Sequence, residues 1–396
     1  MIKRNKLALA CTLGLATLAA PTMAETTFKY GGFIKFDAMF SQYSDGSRAN
    51  LSVGDDFLVP STIATGNGSA GGDTVFDSNA KFSRLNFTTM TDTEAGQVKS
   101  FIEMDFNSGN DERLTNQASN GLRHAFFSLT KEDGSSILTG QTWSTFFNTG
   151  ALPEAVDFVG PTSGTIFVRQ PQVRYTMPMA GGKLMVAAEN PSVGFYDDRG
   201  GNGAGSAEGN NIDNATLPDL IARFDSSASG INYSAAVMLR QIGYNDGTND
   251  ESESGFALTF SGKYAFDNGD DIKFMLSNGN LGRYIALNAF RDGGIKADGS
   301  IDLNTVTGAY IAYKHNWSDK LRSTAMYAFS DADNSSEIDL SNDDITKSIN
   351  NINVNLMYSP APKLTFGAEY QMAERETEAG TSGDLSRLQF TSKWAF

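Results

Sequence analysis

The sequence predicts an all-β fold: a transmembrane, antiparallel, up-and-down β-barrel of about 16 strands, with a long loop folded into its lumen. Three observations lead to this prediction. Apolar and polar residues alternate along many segments, short and long polar connections follow one another between these segments, and the chain ends in "SRLQFTSKWAF". Barrels of the bacterial outer membrane combine alternating strands with short turns at one end and long loops at the other.

The first residues predict a cleaved signal peptide over residues 1–24. "MIKRNK" is cationic, "LALACTLGLATLAAP" is a short apolar run, and small residues follow at Thr22 and Ala24. The mature barrel is then expected to cover residues 25–396. Cys11 is the one cysteine of the chain and lies in this peptide, so we expect neither disulfides nor thiol chemistry in the mature protein.

The charge of the chain is strongly acidic. The sequence has 31 basic and 46 acidic residues and a formal net charge of −15, and removal of the signal peptide would take away three more bases. Such a charge argues against nucleic acid as a partner. No apolar run after the signal peptide is long enough for a transmembrane helix, so the chain is either a soluble exported protein or a barrel.

Alternation along the strands favours the barrel. In "FKYGGFIKFDAMF", Phe28, Ile34 and Phe36 share one face, while Lys35 and Asp37 lie on the other. The same pattern recurs in "VKSFIEMDF", "INYSAAVMLR", "GFALTFSGKYAF" and "KLTFGAEYQMA". A soluble β-sandwich would bury the same apolar faces, so alternation alone does not exclude one. Arginine and lysine on the opposite face of many strands indicate instead a water-filled lumen.

The connections give the strand count. Short turns are predicted at 91–96, 131–136, 178–183, 226–230, 267–271, 317–320 and 359–363. Long polar loops are predicted at 41–78, 107–120, 144–168, 190–217, 241–253, 279–304, 330–346 and 374–384. These connections join sixteen strands and place both termini on the periplasmic side. The stretch 281–290 is either part of a strand or part of a loop.

Catalytic and metal-binding motifs are weak. His124 and His315 are the only histidines, and neither lies in a nucleophile or zinc motif. We therefore predict structural roles for both, no catalytic residues and no enzyme activity, against the alternative of a barrel hydrolase. No resident metal or cofactor is predicted. The acidic clusters at 246–253 and 333–344 lead to one hypothesis, that divalent cations bridge them to lipopolysaccharide of the surrounding outer-membrane lipid.

The parity of the strands assigns more bases than acids to the lumen. The bases are Lys35, Arg84, Lys99, Arg174, Arg223, Arg240, Lys263, Lys273, Arg322, Arg387 and Lys393, and the acids are Asp37, Glu103, Asp105, Glu189, Asp225 and Glu369. Rings of arginine and lysine select anions, and arginine holds a carboxylate with two parallel hydrogen bonds. The predicted pore-lining arginines that guide small anionic solutes are Arg84, Arg174, Arg223, Arg240 and Arg322.

The predicted loop at 144–168 is unusually apolar. Phe146, Phe147, Phe158 and Phe167 would be exposed if this loop projected into water. Folded into the barrel, it would narrow the pore and act as a constriction loop. Its acids Glu154 and Asp157 would then face the basic wall, and Arg169 would help to shape the constriction.

The C-terminal segment predicts the closing strand. It alternates like the others, and its pairing with the first strand would remove the last open edge. Leu388 and Phe390 would face lipid, and Trp394 and Phe396 would lie in the periplasmic aromatic girdle. A terminal aromatic residue on such a strand also resembles the signal read by the outer-membrane assembly machinery.

Several segments carry a family resemblance. "FDSNAKFSRLNFTTMTDTEAGQVKSFIEMDF", "LRHAFFSL" and "GQTWSTFFNTGALPEAVDFVGPTSGTIFVRQPQVRYT" resemble the DcaP-like outer-membrane porins of Gram-negative bacteria, most densely over residues 76–191. The resemblance implies a sixteen-stranded porin that forms homotrimers and prefers small anions, dicarboxylates in particular. It also implies that Arg84, Arg169 and Arg174 are basic residues around the constriction. A helical coiled-coil segment, frequent in the family between signal and barrel, has no counterpart here.

These observations favour a passive diffusion channel of the bacterial outer membrane. Small hydrophilic solutes, anions above all, would cross its water-filled lumen down their gradient. The alternatives are a non-selective general porin and, less favoured, a structural or adhesive barrel whose acidic loops bind partners.

Overall fold

A computed structural model describes residues 25–45, 53–66, 72, 74–111, 115–199, 205–208, 215–341 and 345–396. The predicted signal peptide, residues 1–24, lies outside these described residues. Within them the protein is almost entirely β-structure, interrupted by short 3-10 turns. No helix in the described ranges has the length and the apolar character needed to cross a bilayer.

Twenty-one strands occur in the described residues. They are β1 (Thr26–Tyr43), β2 (Thr74–Asn79), β3 (Arg84–Thr93), β4 (Gly96–Asp111), β5 (Gln117–Thr130), β6 (Ser136–Trp143), β7 (Arg169–Met179), β8 (Gly182–Glu189), β9 (Gly194–Asp197), β10 (Gly205–Glu208), β11 (Asp219–Ala228), β12 (Ile231–Asn245), β13 (Asp250–Ala265), β14 (Asp271–Gly279), β15 (Gly293–Ile295), β16 (Ile301–Leu303), β17 (Thr305–Asn316), β18 (Leu321–Asp333), β19 (Thr346–Ala361), β20 (Leu364–Thr377) and β21 (Ser382–Ala395).

Sixteen of these strands form one closed antiparallel barrel, which confirms the predicted fold class. The barrel consists of β1, β3–β8, β11–β14 and β17–β21 in sequence order. Closure occurs where β1 pairs with β21, from Phe33 opposite Ala395 to Tyr43 opposite Leu385. The extra strand β2 continues the line of β3 along β1, from Asp37 opposite Asn79 to Gln42 opposite Thr74.

The outward face of the barrel is apolar and exposed. Leu239, Phe256, Leu258, Val354 and Tyr370 alternate with buried neighbours along their strands and project outward. A soluble sandwich would bury this face, whereas a membrane strand presents it to lipid. The exposed apolar face therefore decides between the two readings of the alternation.

Seven short connections join the strands at one end of the barrel, where the sequence predicted short turns. Two of them are two-residue turns in which both central residues have positive φ: Ala180 and Gly181, and Ser229 and Gly230. This geometry matches the right-handed twist of the flanking antiparallel strands. These turns lie at the same end as the first residues of β1 and the last residues of β21.

Three of the predicted long loops are wrong, because strands continue through them. β4 extends to Asp111 and β5 starts at Gln117, while β12 and β13 are joined by residues 246–249 and β20 and β21 by residues 378–381. Polar composition indicated loops there. Beyond the apolar band, however, both faces of a strand meet water, so polar residues can continue the backbone ladder.

Two of the remaining long connections build a second, smaller sheet at the other end of the barrel. β9 pairs with β10 and, in parallel, with β15, which pairs with β16. Phe195, Ile295 and Ile301 pack with Ile242 and Tyr244 of β12 in a small apolar core. The connections 190–218 and 280–304 are thereby held against the rim of the barrel.

A constriction with an arginine cluster

Residues 144–168, the predicted constriction loop, connect β6, which ends at Trp143, to β7, which begins at Arg169. The carbonyl oxygens of this loop accept hydrogen bonds from inward-facing side chains around the barrel. Lys273 Nζ of β14 bonds to Leu152 at 2.7 Å, Tyr310 Oη of β17 to Ala151 at 2.9 Å, and Lys35 Nζ of β1 to Val156 at 3.1 Å. β14 and β17 are neighbours, and β1 is separated from them by β18–β21. Because the loop leaves the wall between β6 and β7 and reaches these distant strands, it crosses the lumen.

The apolar side chains of the constriction loop are buried against the inner wall. Phe146, Phe147 and Ile166 belong to one core with inward-facing residues of several strands, among them Met238 and Met275. The alternation of the strands predicted a polar inner wall, and inward-facing apolar residues such as Met238 and Met275 were not among the predicted site residues. Apolar residues are tolerated on the inner face there because the loop, and not water, covers them.

A second inserted segment, residues 281–290, lies beside the constriction loop. It is not a strand, and most of its side chains are fully buried. The amide of Phe167 donates to the Tyr284 carbonyl oxygen at 2.9 Å, and the amide of Ala286 donates to the Thr165 carbonyl oxygen at 3.1 Å. The two segments therefore fill one part of the lumen together, against β11–β19.

Three arginines form a cluster on the opposite wall. Arg84 is the first residue of β3, Arg123 lies on β5, and Arg169 is the first residue of β7 rather than a member of the loop. Arg123 donates to Glu103 at 2.9 Å and to Asp105 at 2.5 Å, while Arg84 Nη1 is 3.8 Å from Glu103. Arg169 makes no ion pair with either acid among the described residues, but its charge interacts with those of Arg84, Arg123 and both carboxylates.

Aromatic rings support this arginine cluster. The guanidinium carbons of Arg84 and Arg123 lie 5.8 and 5.5 Å from the ring centre of Phe158, and that of Arg169 lies 4.9 Å from the ring centre of Trp143. Arg84 also lies over Phe33 at 5.2 Å. Cation–π contacts hold a guanidinium in place while leaving its N–H groups available.

Each arginine of the cluster has one buried nitrogen without a hydrogen-bond partner among the described residues. These atoms are Arg84 Nε, Arg123 Nη2 and Arg169 Nη1. An unpartnered buried donor is costly, and water or a bound anion would satisfy it. Within the cluster, the Arg84 side chain is 24% exposed and can meet an anion directly, whereas Arg123, at 1%, can act on it only through its charge.

Arg123 was missed by the sequence analysis because of a β-bulge. Glu103 pairs with His124, whereas Met104 pairs with Leu122, so Arg123 is an extra residue in β5. Both Arg123 and His124 are buried beside the lumen as a result, although alternation would place one of them outside. The segment "GLRHAFF" indicates the bulge by a break in alternation. Leu122 and Phe127 both face outward, although they are an odd number of residues apart.

Other predicted pore-lining arginines contact the constriction loop. Arg322 forms a bidentate ion pair with Glu154, in which both N–O distances are 2.5 Å. The carboxylate of Glu154 therefore contacts a basic residue of the wall. Arg223 donates to the carbonyl oxygen of Phe147 at 2.7 Å and pairs with Asp225 at 2.6 Å. Arg174 makes no hydrogen bond or ion pair within the described part of the chain.

Arg240 differs from the prediction of a pore-lining residue. Its side chain points inward but is 0% exposed, because the second inserted segment and the rim connections cover it. It pairs with Asp219 and Asp292 and lies over the ring of Tyr284. Arg240 therefore ties the rim to the wall instead of meeting solute.

Asp157 also differs from the prediction. Its carboxylate accepts hydrogen bonds from the backbone amides of Leu58 at 3.0 Å, Val159 at 3.1 Å and Gly160 at 3.2 Å. These bonds fix the turn of the constriction loop and attach it to the segment 53–66. Asp157 is buried and does not present its charge to the lumen.

Several predicted inward charges serve to attach loops. Arg387 is buried and donates to the Gly54 carbonyl oxygen, and Glu189 accepts from the Thr145 amide at 2.6 Å. Lys35 pairs with Asp37 at 2.6 Å. Of the other lysines predicted to line the lumen, Lys99 lies over the Phe101 ring, Lys393 lies over the Phe33 ring, and Lys263 lies near Asp271.

Both histidines have structural contacts. His124 Nδ1 lies 3.0 Å from Thr142 Oγ1, and His315 Nδ1 lies 2.9 Å from the Asp270 carboxylate in a short turn. Hydrogen bonds to its carboxylate hold the pKa of Asp270 well below its usual range. The backbone amide of Asn316 has the largest effect, and the side chain of His315 has the next largest. His315 has no hydroxyl or thiol among these contacts, and the hydroxyl that His124 contacts belongs to the buried residue Thr142.

No group of three or more potential metal ligands occurs among the described residues. In the acidic cluster 246–253, Asp246 is bound by the amides of Asn249 and Thr248 and by Arg199, and these bonds lower the pKa of its carboxyl. The cluster 333–344 lies partly outside the described residues. Cation bridging to lipopolysaccharide stays a prediction.

The predicted assembly residues lie at the barrel seam. Trp394 is opposite Ile34 in the pairing of β21 with β1, and the amide of Phe396 donates to the Gly32 carbonyl oxygen at 3.1 Å. Both aromatic side chains are exposed on the outward side. This position is compatible with an aromatic girdle at the membrane surface.

Comparisons with known proteins agree with this architecture. The family described as DcaP outer membrane protein matches residues 16–396. The outer membrane channel DcaP of Acinetobacter baumannii is similar at 21% identity, with a TM-score of 0.75, over 96% of this chain and 100% of that one. A search of curated proteins gave no match.

More distant porins share the fold. OmpF of Salmonella typhi, solved with daunomycin, is 12% identical with a TM-score of 0.56, over 94% of this chain and 98% of that one. OmpT of Vibrio cholerae is 10% identical with a TM-score of 0.54, over 95% of this chain and 100% of that one. Another structure of that OmpT is described as a trimer form.

Proposed function

Because the chain belongs to the DcaP outer membrane protein family, and is therefore an outer-membrane protein with a porin fold, we propose that it is a passive channel that favours small anions, dicarboxylates among them. The observation that carries this proposal is the arginine cluster of Arg84, Arg123 and Arg169. Its three positive charges exceed those of the two neighbouring carboxylates, Glu103 and Asp105, with which only Arg84 and Arg123 form ion pairs.

The mechanism follows from the chemistry of the guanidinium group. An anion that enters the constriction loses part of its hydration shell, and the positive charge of the arginine cluster compensates for this loss, most directly at Arg84, whose side chain is 24% exposed. Arginine presents its donors in a planar fork that matches a carboxylate. A cation meets the excess positive charge of the same wall and is repelled. No reaction is involved, since porins are channels in general and not enzymes.

Lys393 extends the basic wall beyond the arginine cluster, whereas Lys35 is neutralised by Asp37. Lys393 Nζ lies 5.3 Å from the ring centre of Phe33, and Arg84 lies over the same ring at 5.2 Å. A moving anion would therefore pass from one cation to the next. This arrangement supports the proposed preference for anions over the alternative of a non-selective porin.

The test is the reversal potential of the purified protein in a planar bilayer under a potassium chloride gradient. We expect a chloride-favouring potential that shifts toward zero in the double variant Arg84→Gln with Arg169→Gln. The control is Arg199→Gln, which removes one positive charge from a rim residue paired with Asp197 and Asp246, for comparison with each of the single variants Arg84→Gln and Arg169→Gln. A cation-favouring potential of the unchanged protein would defeat the proposal.

We also infer that three copies assemble in the membrane. Thr89 and Ser100 are bonded to each other at 2.5 Å on the outward face of β3 and β4. Polar hydroxyls on a membrane-facing surface are typical of contacts between protein surfaces. Native mass spectrometry in mild detergent should give a mass of three chains. A single-chain mass under conditions that preserve other porin trimers would contradict this inference.

A further inference from the structure

A polar cavity of about 470 Å³ lies at the end of the barrel that carries the short turns. It is bordered by the turn at Gly181, by the inner faces of β8, β11, β12 and β13, and by Asn148 and Gly150 at the start of the constriction loop. Its volume is within the range of ~300–1,000 Å³ that is typical of small-molecule sites. The arginine cluster does not contribute to its lining.

Three side chains that line this cavity have nitrogen donors without a hydrogen-bond partner among the described residues. Lys183 and Lys263 make no hydrogen bond within the described residues, and their Nζ atoms are 3.6 Å from Asp225 and 3.4 Å from Asp271. Asn232 accepts a bond from Ser227 Oγ at 2.6 Å, so its carbonyl oxygen is used while its amide nitrogen stays available.

The two carboxylates near the lysines are engaged by other cations. Asp225 pairs with Arg223 through both oxygens, at 2.6 and 2.9 Å. Asp271 lies closer to Lys314, at 3.1 Å, than to Lys263. The lysines therefore have no carboxylate of their own.

The local charge balance is positive. Of the charged residues, Lys183, Lys263 and Asp225 line the cavity. Arg223, Lys273 and Lys314 lie behind its lining, close to Asp225 or Asp271, so cations outnumber carboxylates in this region. Charge-assisted hydrogen bonds have N–O distances of about 2.7–2.9 Å, and neither Lys183 nor Lys263 has one. Their side chains are 54% and 36% exposed, so a solute in the cavity can reach both ammonium groups.

We propose that this cavity is a second anion-binding site on the periplasmic side of the constriction, formed by Lys183, Lys263 and Asn232, and that it binds small dicarboxylates. The two lysines that line the cavity can each bind one carboxylate of a dianion. This inference rests on the proposed function, since it assumes that anions pass the channel. A solute that leaves the constriction would be held here before release into the periplasm.

The test uses succinate as the probe and the full chain in a planar bilayer with known orientation. Succinate added on the side of the short turns should reduce the chloride current of the unchanged protein. In the double variant Lys183→Gln with Lys263→Gln, the half-blocking concentration should rise about tenfold, because two charged donors are lost. Block from the opposite side, where solute meets the constriction first, should change little.

Two further variants separate the explanations. Lys320→Gln removes a lysine from another short turn that does not line the cavity, and it should leave the block unchanged. Lys183→Arg with Lys263→Arg keeps the charge and should retain the block, which also shows that substitution here permits folding. Equal block of the unchanged protein and the glutamine variant would overturn the inference.

The outcomes also distinguish this site from the proposed function. If the unchanged channel favours cations, the proposed function fails and the cavity has no anions to bind. If the channel favours anions and responds to Arg84→Gln with Arg169→Gln, but not to the lysine variants, only the second site is refuted.

Discussion

The carboxylate of Glu369 accepts a 3.0 Å hydrogen bond from the backbone amide of Val156, so a strand of the barrel holds the middle of the constriction loop. The other oxygen accepts from the Asp157 amide at 3.2 Å. Asn353 and Asn355 of β19 each donate to one of these oxygens, at 2.9 and 3.0 Å. Glu369 is buried and therefore depends on these four donors.

Replacing Glu369 by glutamine should release the constriction loop. One acceptor oxygen becomes an NH₂ group that faces two donors, so a buried charge-assisted contact of about 1.5–3 kcal/mol is lost. We expect a larger and noisier single-channel conductance. The control is Glu376→Gln on the same strand, whose side chain pairs with the exposed Lys347. Unchanged conductance in a folded Glu369→Gln channel would contradict the role of this contact.

Although Arg123 is buried, we expect its charge to influence anion selectivity. In Arg123→Gln the acids Glu103 and Asp105 lose their closest cation, so the local charge becomes less positive and anion preference should fall. The reversal potential measures this change. The same loss leaves buried carboxylates without their partner, at a cost of about 3–5 kcal/mol in the free energy of unfolding. Arg123→Lys keeps the charge, so it should keep most of the selectivity; equal loss in both variants would favour a purely structural role.

Glu154 should oppose anion passage. It neutralises Arg322 in a pair that is partly exposed to the lumen. In Glu154→Gln, the freed guanidinium should make the reversal potential more chloride-favouring, while stability changes by about 1 kcal/mol or less. Arg322→Gln is the matched variant and should act in the opposite direction. A shift of the same sign in both variants would exclude this electrostatic explanation.

Arg240 should affect stability and leave selectivity unchanged. Arg240→Met leaves Asp219 and Asp292 buried without their shared cation, which costs about 3–5 kcal/mol. Thermal unfolding of the purified barrel should therefore occur at lower temperature. The reversal potential of the channels that fold should match that of the unchanged protein, because Arg240 does not meet solute. A loss of anion preference without a loss of stability would show instead that Arg240 lines the pore and meets solute.

Phe396 should matter for assembly rather than for conduction. Its deletion removes an exposed aromatic residue and the hydrogen bond to Gly32 at the barrel seam. We expect less protein in the outer membrane, with unchanged conductance for each channel that inserts. Phe366→Leu, an exposed outward position on β20, is a suitable control. Normal membrane levels after the deletion would show that the terminal residue is not required.

The strands could be predicted because a period of two residues appears directly in the sequence. Parity gave the inward direction of Arg84 and Arg322, and it failed at Arg123, where the bulge adds one residue to β5. A single inserted residue reverses the assignment of everything beyond it. The break in parity between Leu122 and Phe127 is the one local signal of this event.

What covers a side chain could not be predicted from its own strand. Arg240 alternates like Arg322, yet the second inserted segment and the rim connections bury Arg240 and leave Arg322 in the lumen. That difference depends on contacts between residues far apart in the chain, such as Phe167 with Tyr284. The apolar composition of the constriction loop was visible, but the polar context of residues 281–290 concealed a second segment of the same kind.

The pairing of β1 with β21 also determines how the barrel can form. Every other wall contact joins strands that follow one another in the chain, whereas Phe33 meets Ala395 only after all the intervening strands are in register. Until then the sheet has two open edges and an apolar face, and both favour aggregation in water. The pairing of the two ends of the chain is therefore the contact that removes both open edges at once, and a barrel that lacks it would remain prone to aggregation.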